Sequence, residues 1–169
     1  MVESLEQFLE QVARRGSWVG GGSVAACGAA LSAALLEKLV VTPSLARQLR
    51  AVRQDCLQLI HRDAQTFARV IQATRTKNRH AFVRALKQAT EVPARVVEHA
   101  HAIQTAARVA KRSINVRFQS DLRCAMAFAI AAGTSAEALI DTNLSWLNDR
   151  RYTKKVRRRL RAAARRHGR

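Results

Sequence analysis

Three groups of residues in this chain have the types and spacing for chemistry. The first is the run Trp18-Val19-Gly20-Gly21-Gly22-Ser23-Val24-Ala25-Ala26. Consecutive glycines let another group approach the backbone closely, and the small apolar residues behind them read as a buried helix. A glycine loop feeding a helix N-terminus can cradle an anion, because the first-turn N–H groups are unpaired and the helix dipole favours negative charge there. Ser23 falls where an N-cap belongs. The same glycines also suit a plain tight turn, and the spacing is not a Walker or dinucleotide fingerprint. The second group is a single carboxylate, Asp63, inside the stripe Leu45, Leu49, Val52, Cys56, Leu59, Asp63, Phe67, Val70. A carboxylate in an apolar seam must be paired, hydrogen-bonded or kept protonated. Asp63 therefore reads either as the partner of an arginine at the seam's edge or as a functional group facing a cleft. The third is Ser120-Asp121, just after an irregular stretch that contains Asn115. An acid in the first turn of a helix complements its dipole, so Asp121 reads first as a helix-start residue.

The elements that must position these groups are helices. Strand signals are nearly absent, and apolar residues recur at helical spacing. A first helix is expected from Leu5 to about Arg14, with Ser4 and Gln7 in a capping-box pattern. A second runs from about Val24 to Val40 and is broken at Pro43, with Ser44 able to cap the next. A third spans about Leu45 to Ala73. A fourth spans about Arg79 to Lys111 and contains Pro93, which leaves the carbonyl of Ala89 without its helical partner. A fifth runs from Leu122 to about Leu147 and is rich in Ala and Gly, which suits close packing on the second helix or across a dimer interface. The class is all-α: a bundle of about five helices with long central ones, over residues 1–149, followed by an Arg/Lys-rich extension over residues 150–169.

Charge separates those two parts. The 169 residues carry a formal net charge of +18. Residues 150–169 hold 11 of the 30 basic groups and none of the 12 acidic ones, leaving +7 for the rest. Val156 and Leu160 allow a basic helix with a weak apolar face. This extension reads either as a binding element for nucleic acid or another polyanion or as a solvated, frayed tail. Cys27, Cys56 and Cys124 are odd in number, form no CxxC pair, and lie within the apolar stripes, so all three are expected to be reduced core residues. His99 and His101 are two apart on a helix and point different ways, so no metal site is expected. The first six residues lack the basic region of a signal peptide. The longest apolar stretch, Val24 to Leu36, is shorter than the roughly 20 residues that span a bilayer. The expectation is a cytoplasmic protein without a membrane partner.

The order of these features resembles the cyclodeaminase/cyclohydrolase family: the C-terminal domain of formiminotransferase-cyclodeaminase and the related bacterial methenyltetrahydrofolate cyclohydrolases. The residues that carry the resemblance are Ser4-Leu5-Glu6-Gln7-Phe8-Leu9, Gly20-Gly21-Gly22-Ser23-Val24-Ala25-Ala26, Asp63-Ala64-Gln65-Thr66-Phe67, Ala85-Leu86-Lys87-Gln88-Ala89-Thr90-Glu91-Val92-Pro93, Asn115 with Ser120-Asp121, and Asn143-Leu144. It covers roughly residues 3–149. The resemblance implies a dimeric all-α bundle with a folate cleft near the subunit interface. It implies loss of ammonia from formiminotetrahydrofolate, closing methenyltetrahydrofolate, or hydrolysis of the latter to formyltetrahydrofolate. It assigns Gly20, Gly21, Gly22, Ser23 and Asn115 to substrate binding and Asp63 and Asp121 to catalysis, with a tetrahydrofolate derivative as substrate and no metal.

The chain departs from the family pattern at four places. Val19 stands where proline is usual. The segment after the second helix is shortened to Leu39-Val40-Val41-Thr42-Pro43. Leu122-Arg123 replaces Ala-Gly after the aspartate, and Arg117 replaces a second asparagine in the preceding loop. Three readings follow: a folate enzyme, a family member that kept the bundle without its chemistry, and a helical protein that binds nucleic acid or another polyanion through its basic extension.

Overall fold

The computed structural model describes residues 4–167; residues 1–3 and 168–169, including the start of the expected leader-free N-terminus and the last arginine of the extension, lie outside it. Six α-helices follow one another: α1 Leu5–Ala13, α2 Gly21–Leu39, α3 Pro43–Arg75, α4 Arg79–Ala110, α5 Gln119–Leu147 and α6 Arg150–His167. A single 3-10 turn, Val116–Phe118, precedes α5. Among the described residues there is no strand.

The helices α2 to α5 form an antiparallel bundle. Ser23 meets Asp63 at one end of the α2–α3 pair, and Glu37 meets Arg50 and Arg53 at the other. Ser32 donates to the carbonyl of Ala125, and Lys38 faces Asp121, so α2 and α5 run in opposite directions. Small residues let these helices close up. Ala26, Ala29, Ala33, Ala125, Ala129 and Ala136 have no exposed surface. Gly133 lies so near Ala100 that a β-carbon on it would sit 3.2 Å from the Ala100 methyl.

Several boundaries differ from the sequence expectation, each for a local reason. The first helix keeps its capping box: Ser4 and Gln7 exchange side-chain and backbone hydrogen bonds. The glycines, however, are helical. α2 begins at Gly21, so Ser23 lies inside the first turn and Gly20 occupies the N-cap position without a side-chain bond. Pro43 starts α3 instead of separating two elements; its fixed φ and missing N–H suit a first helical position. The capping role expected of Ser44 is therefore not needed. α5 likewise starts early, at Gln119, and Asp121 sits in its first turn. Cys56 is buried, but Cys124 is exposed, because the apolar composition of α5 extends to its outward face. By length and composition the helix Gly21–Leu39 and the segment Val116–Leu147 could each cross a membrane, which the shorter Val24–Leu36 reading missed. Both are packed in the bundle, through 56% of the apolar window in the first and 33% in the second.

The basic extension is a docked helix. Asn148 turns the chain in the left-handed conformation (φ 48°) and Asp149 accepts from the N–H of Tyr152, starting α6. Val156 and Ala163 are buried on the bundle, and Tyr152 and Leu160 pack against it. Arg159 clamps Glu98 through two hydrogen bonds and also bonds Glu91. These contacts rule out the frayed-tail reading over residues 150–166.

Candidate active site

The glycine run and Asp63 meet. The N–H of Ser23 donates to Asp63 Oδ2 at 2.8 Å, and Ser23 Oγ lies 3.0 Å from that same oxygen and 3.0 Å from the carbonyl of Ile60. The acid therefore sits over the first turn of α2, where unpaired N–H groups and the helix dipole favour an anion. The anion cradle expected of the loop is occupied by the protein's own carboxylate. Gly22 is what admits it: a β-carbon there would fall 2.1 Å from Asp63 Oδ1.

Two opposing influences set the protonation of Asp63. Burial raises its pKa, while the two Ser23 hydrogen bonds lower it; burial prevails and the net shift is upward. Oδ1 takes no hydrogen bond from the described residues, yet no buried side-chain polar atom among them lacks a partner. Oδ1 is thus open to solvent. The Ser23 hydroxyl has one hydrogen and two acceptors in reach. It donates to Oδ2 when Asp63 is ionised, and turns to Ile60 and accepts when Asp63 is protonated.

Asp63 lines a cavity of about 220 Å³. Its other walls are Trp18 and Gly20 from the loop, Gly21 and Gly22 from the first turn of α2, Phe67 and Val70 from α3, Leu86, Ala89 and Pro93 from α4, and Leu139, Thr142, Asn143 and Trp146 from α5. Trp18 and Phe67 meet edge to face with centroids 6.5 Å apart. Both residues of the proline break, Ala89 and Pro93, face this space. Proline has no N–H, so the Ala89 carbonyl is left without its helical partner at the cavity. Sequence reasoning did not select Thr142 or Trp146, and took Asn143 only as part of the Asn143-Leu144 pair that carries the family resemblance. Asn143 is a carboxamide near the end of α5, at the cavity wall. It makes no side-chain hydrogen bond within the described residues, whereas Thr142 is turned back onto the carbonyl of Ala138.

Asn115 and Asp121 lie elsewhere. Asn115 caps the 3-10 turn, accepting from the N–H of Arg117 at 2.9 Å. Asp121 sits 3.9 Å from Lys38, and more than a third of its side chain is exposed. Lys38 is fifteen residues along α2 from Ser23, about 22 Å at 1.5 Å per residue. The two aspartates thus do not converge within one chain.

A larger groove, about 630 Å³, lies on the other side of the α3–α4 pair, against α6. It is walled by ion pairs: Asp55 holds Arg95 at 2.9 Å and His99 Nε2 at 2.6 Å, and Arg159 holds Glu91. Burial lowers the pKa of His99 despite Asp55. For Asp55, burial alone raises the pKa, but the hydrogen bonds from His99 and Arg95 outweigh it and hold the acid low. This network cements α3 to α4. Among the described residues no three His, Cys, Asp or Glu side chains converge as metal ligands would.

The fold is that of a known solved structure. The crystal structure of formiminotetrahydrofolate cyclodeaminase from Thermotoga maritima superposes with a TM-score of 0.84 at 21% identity, covering 95% of this chain and 88% of that one. No match to a curated protein sequence was found. The family model described as Formiminotransferase-cyclodeaminase matches residues 4–162, reaching well into α6. With nearly its whole length inside that match, the chain belongs to the formiminotransferase-cyclodeaminase C-terminal family.

Proposed function

We propose that this protein is a cytoplasmic folate one-carbon enzyme, a formiminotetrahydrofolate cyclodeaminase or a methenyltetrahydrofolate cyclohydrolase. The observation that carries the reading is Asp63: a solvent-reachable carboxyl of raised pKa, held at the head of α2 beside an aromatic-walled cavity. Both reactions need a proton carrier. In ring closure, N10 of the substrate adds to the formimino carbon and the departing nitrogen must gain a proton to leave as ammonia. In hydrolysis, water adds to the methenyl carbon and must lose one. A carboxyl tuned by partial burial suits either task, and the Ser23 hydroxyl accommodates both of its protonation states.

The cavity is smaller than the roughly 300–1,000 Å³ of typical ligand pockets. In this reading the ring of the substrate enters between Trp18, Phe67 and Trp146, which line the cavity, with the remainder extending beyond it. Gly20, Gly21, Gly22 and Ser23 hold the ring through Asp63 and backbone.

The active form is a homodimer. Val24 and Leu31, seven apart on α2, and Phe128 on α5 are 44–51% exposed. A two-fold contact through these faces, with its axis perpendicular to the helices, sets helices of the two copies antiparallel. It carries Asp121 and Asn115 of one subunit towards the glycine-loop end of the other, which gives both residues a route to the cleft. The test is loss of methenyltetrahydrofolate absorbance, and ammonia release from the formimino substrate, by wild type, Asp63→Asn and Asp121→Asn. Turnover abolished by both substitutions in a folded dimer supports the assignment. Unchanged turnover in either variant removes that residue from it.

The distance between Asp121 and the cavity within one chain favours a second reading, a family member that keeps the bundle without the chemistry. Absence of turnover with both substrates, in a protein that is dimeric and folded, selects it.

A further inference from the structure

Helix α6 carries more positive charge than its docking uses. Arg157 pairs with Asp141 at 2.7 Å, and Arg159 pairs with Glu91 and Glu98. The side chains of Arg150, Arg151, Lys154, Lys155, Arg158, Arg161, Arg165 and Arg166 form no ion pair with the described residues, and all are exposed.

These cations are ordered by the helix. Arg151, Lys154, Arg158, Arg161 and Arg165 are spaced 3, 4, 3 and 4 apart, which places them in one row on the side opposite Val156 and Ala163. The row is about 21 Å long at 1.5 Å per residue. Its internal like-charge pairs, Lys154 with Arg158 and Arg161 with Arg165, oppose helix formation. No acidic side chain among the described residues pairs with the row to offset that repulsion. Solubility does not call for it either, since the other residues already carry +7, within the magnitude of about 2–8 that suffices for a small domain.

A ligand with a regular line of negative charge does call for it. The outward face has no large apolar or aromatic side chain, and the apolar face of α6 is sealed against the bundle. Helices that lie in a membrane surface bury their apolar face in lipid, so this one is not built for that. We propose that the outward row of α6 is a sequence-independent binding surface for the sugar–phosphate backbone of nucleic acid. It is separate from the Asp63 cavity, and it stands or falls independently of the folate reading.

The test is fluorescence anisotropy of the full chain with a labelled mixed-sequence DNA duplex of about 20 base pairs, between about 50 and 200 mM salt. If the five cations of the row each neutralise a phosphate, log affinity falls against log salt with a slope of about −4 to −5. Replacing Arg151, Lys154, Arg158, Arg161 and Arg165 together by Gln is expected to weaken binding by about 100-fold or more at low salt. A control removes the same charge at the exposed Arg14, Arg15, Arg47, Arg75 and Arg112; its affinity is expected to stay within a few-fold of wild type. Amide exchange of the wild-type chain with and without duplex gives a reading that needs no variant, with protection expected along α6. Absence of binding at low salt, equal loss in the control, protection confined to other helices, or binding to phosphatidylserine vesicles with the duplex ignored would each overturn the proposal.

Discussion

The carboxylate of Asp63 occupies the space that a β-carbon on residue 22 would fill. Such a carbon would lie 2.1, 2.5 and 2.8 Å from Oδ1, Cγ and Oδ2. Gly22 and Asp63 are therefore one structural unit, although they are 41 positions apart in the chain.

A double-mutant cycle makes that unit measurable. Alanine in place of glycine in a helix is ordinarily worth about 1 kcal/mol. Here Gly22→Ala drives the Asp63 carboxylate off Ser23, losing hydrogen bonds worth about 1.5–3 kcal/mol each when the acceptor is charged. A net loss of about 2 kcal/mol is expected by urea denaturation. In the Asp63→Ala background the clash is gone, and Gly22→Ala should stabilise. Additive effects of the two substitutions would show that the close approach has no energetic weight.

For the hydrolytic reaction the ionised form of Asp63 is the one that takes the proton from water. Its folded pKa is raised by burial, so kcat/KM should fall as pH drops through a value above the ordinary aspartate pKa of about 3.9. Ser23→Ala removes a hydrogen bond that lowers that pKa and leaves burial less opposed. The acid limb should then move to higher pH, by about one unit if the bond is worth about 1.4 kcal/mol. A limb that stays in place in Ser23→Ala would detach Asp63 from the ionisation.

Stability should be lost in two stages on acidification. Burial depresses the folded pKa of His99, so its contribution is complete above the unfolded value of about 6.5 and declines as pH falls below it. The folded pKa of Asp55 is also depressed, because the bonds from His99 and Arg95 outweigh burial; its contribution declines only below about 3.9. Thermal melts of wild type and His99→Gln between pH 8 and pH 3, both rough limits, should differ in the upper stage. Identical profiles would exclude His99 as its source.

Arg159 should hold α6 in place. Arg159→Ala leaves Glu98 and Glu91 without their partner, and a cost of about 1–2 kcal/mol corresponds to a Tm lower by about 3–6 °C at this chain length. Lysine at the same position keeps the charge but lacks the planar fork, so its melt should fall in between. A Tm within about 1 °C of wild type for the alanine variant would place the anchoring in Val156 and Ala163 alone.

The bundle was legible because its signals are local. The capping box at Ser4 and Gln7, the stripe of α3 and the small residues of α2 and α5 each state their own helix. Asp63 was legible for a related reason: a charge in an apolar stripe is an exception that must be explained. Its partner was not. Ser23 reads as an N-cap by position, and only tertiary structure reveals that the first turn of α2 is capped by a carboxylate from α3. Asp121 and Asn115 could be picked by type and neighbourhood, but their distance from the cavity is set by the antiparallel course of α5, which no local pattern encodes. Trp146 escaped, and Asn143 entered only through the resemblance, because a helix face turned towards a cavity looks, in sequence, like one turned towards solvent.

The two sides of α6 answer to different constraints. Deleting the helix at Asn148 would strip the wall from the apolar seam that Val156 and Ala163 close, and so would damage the scaffold itself. Rewriting only the outward side chains would leave every packed contact untouched. The helix is thus a panel bolted to the frame: its inner side belongs to the scaffold, and its outer lettering can be rewritten without loosening a bolt.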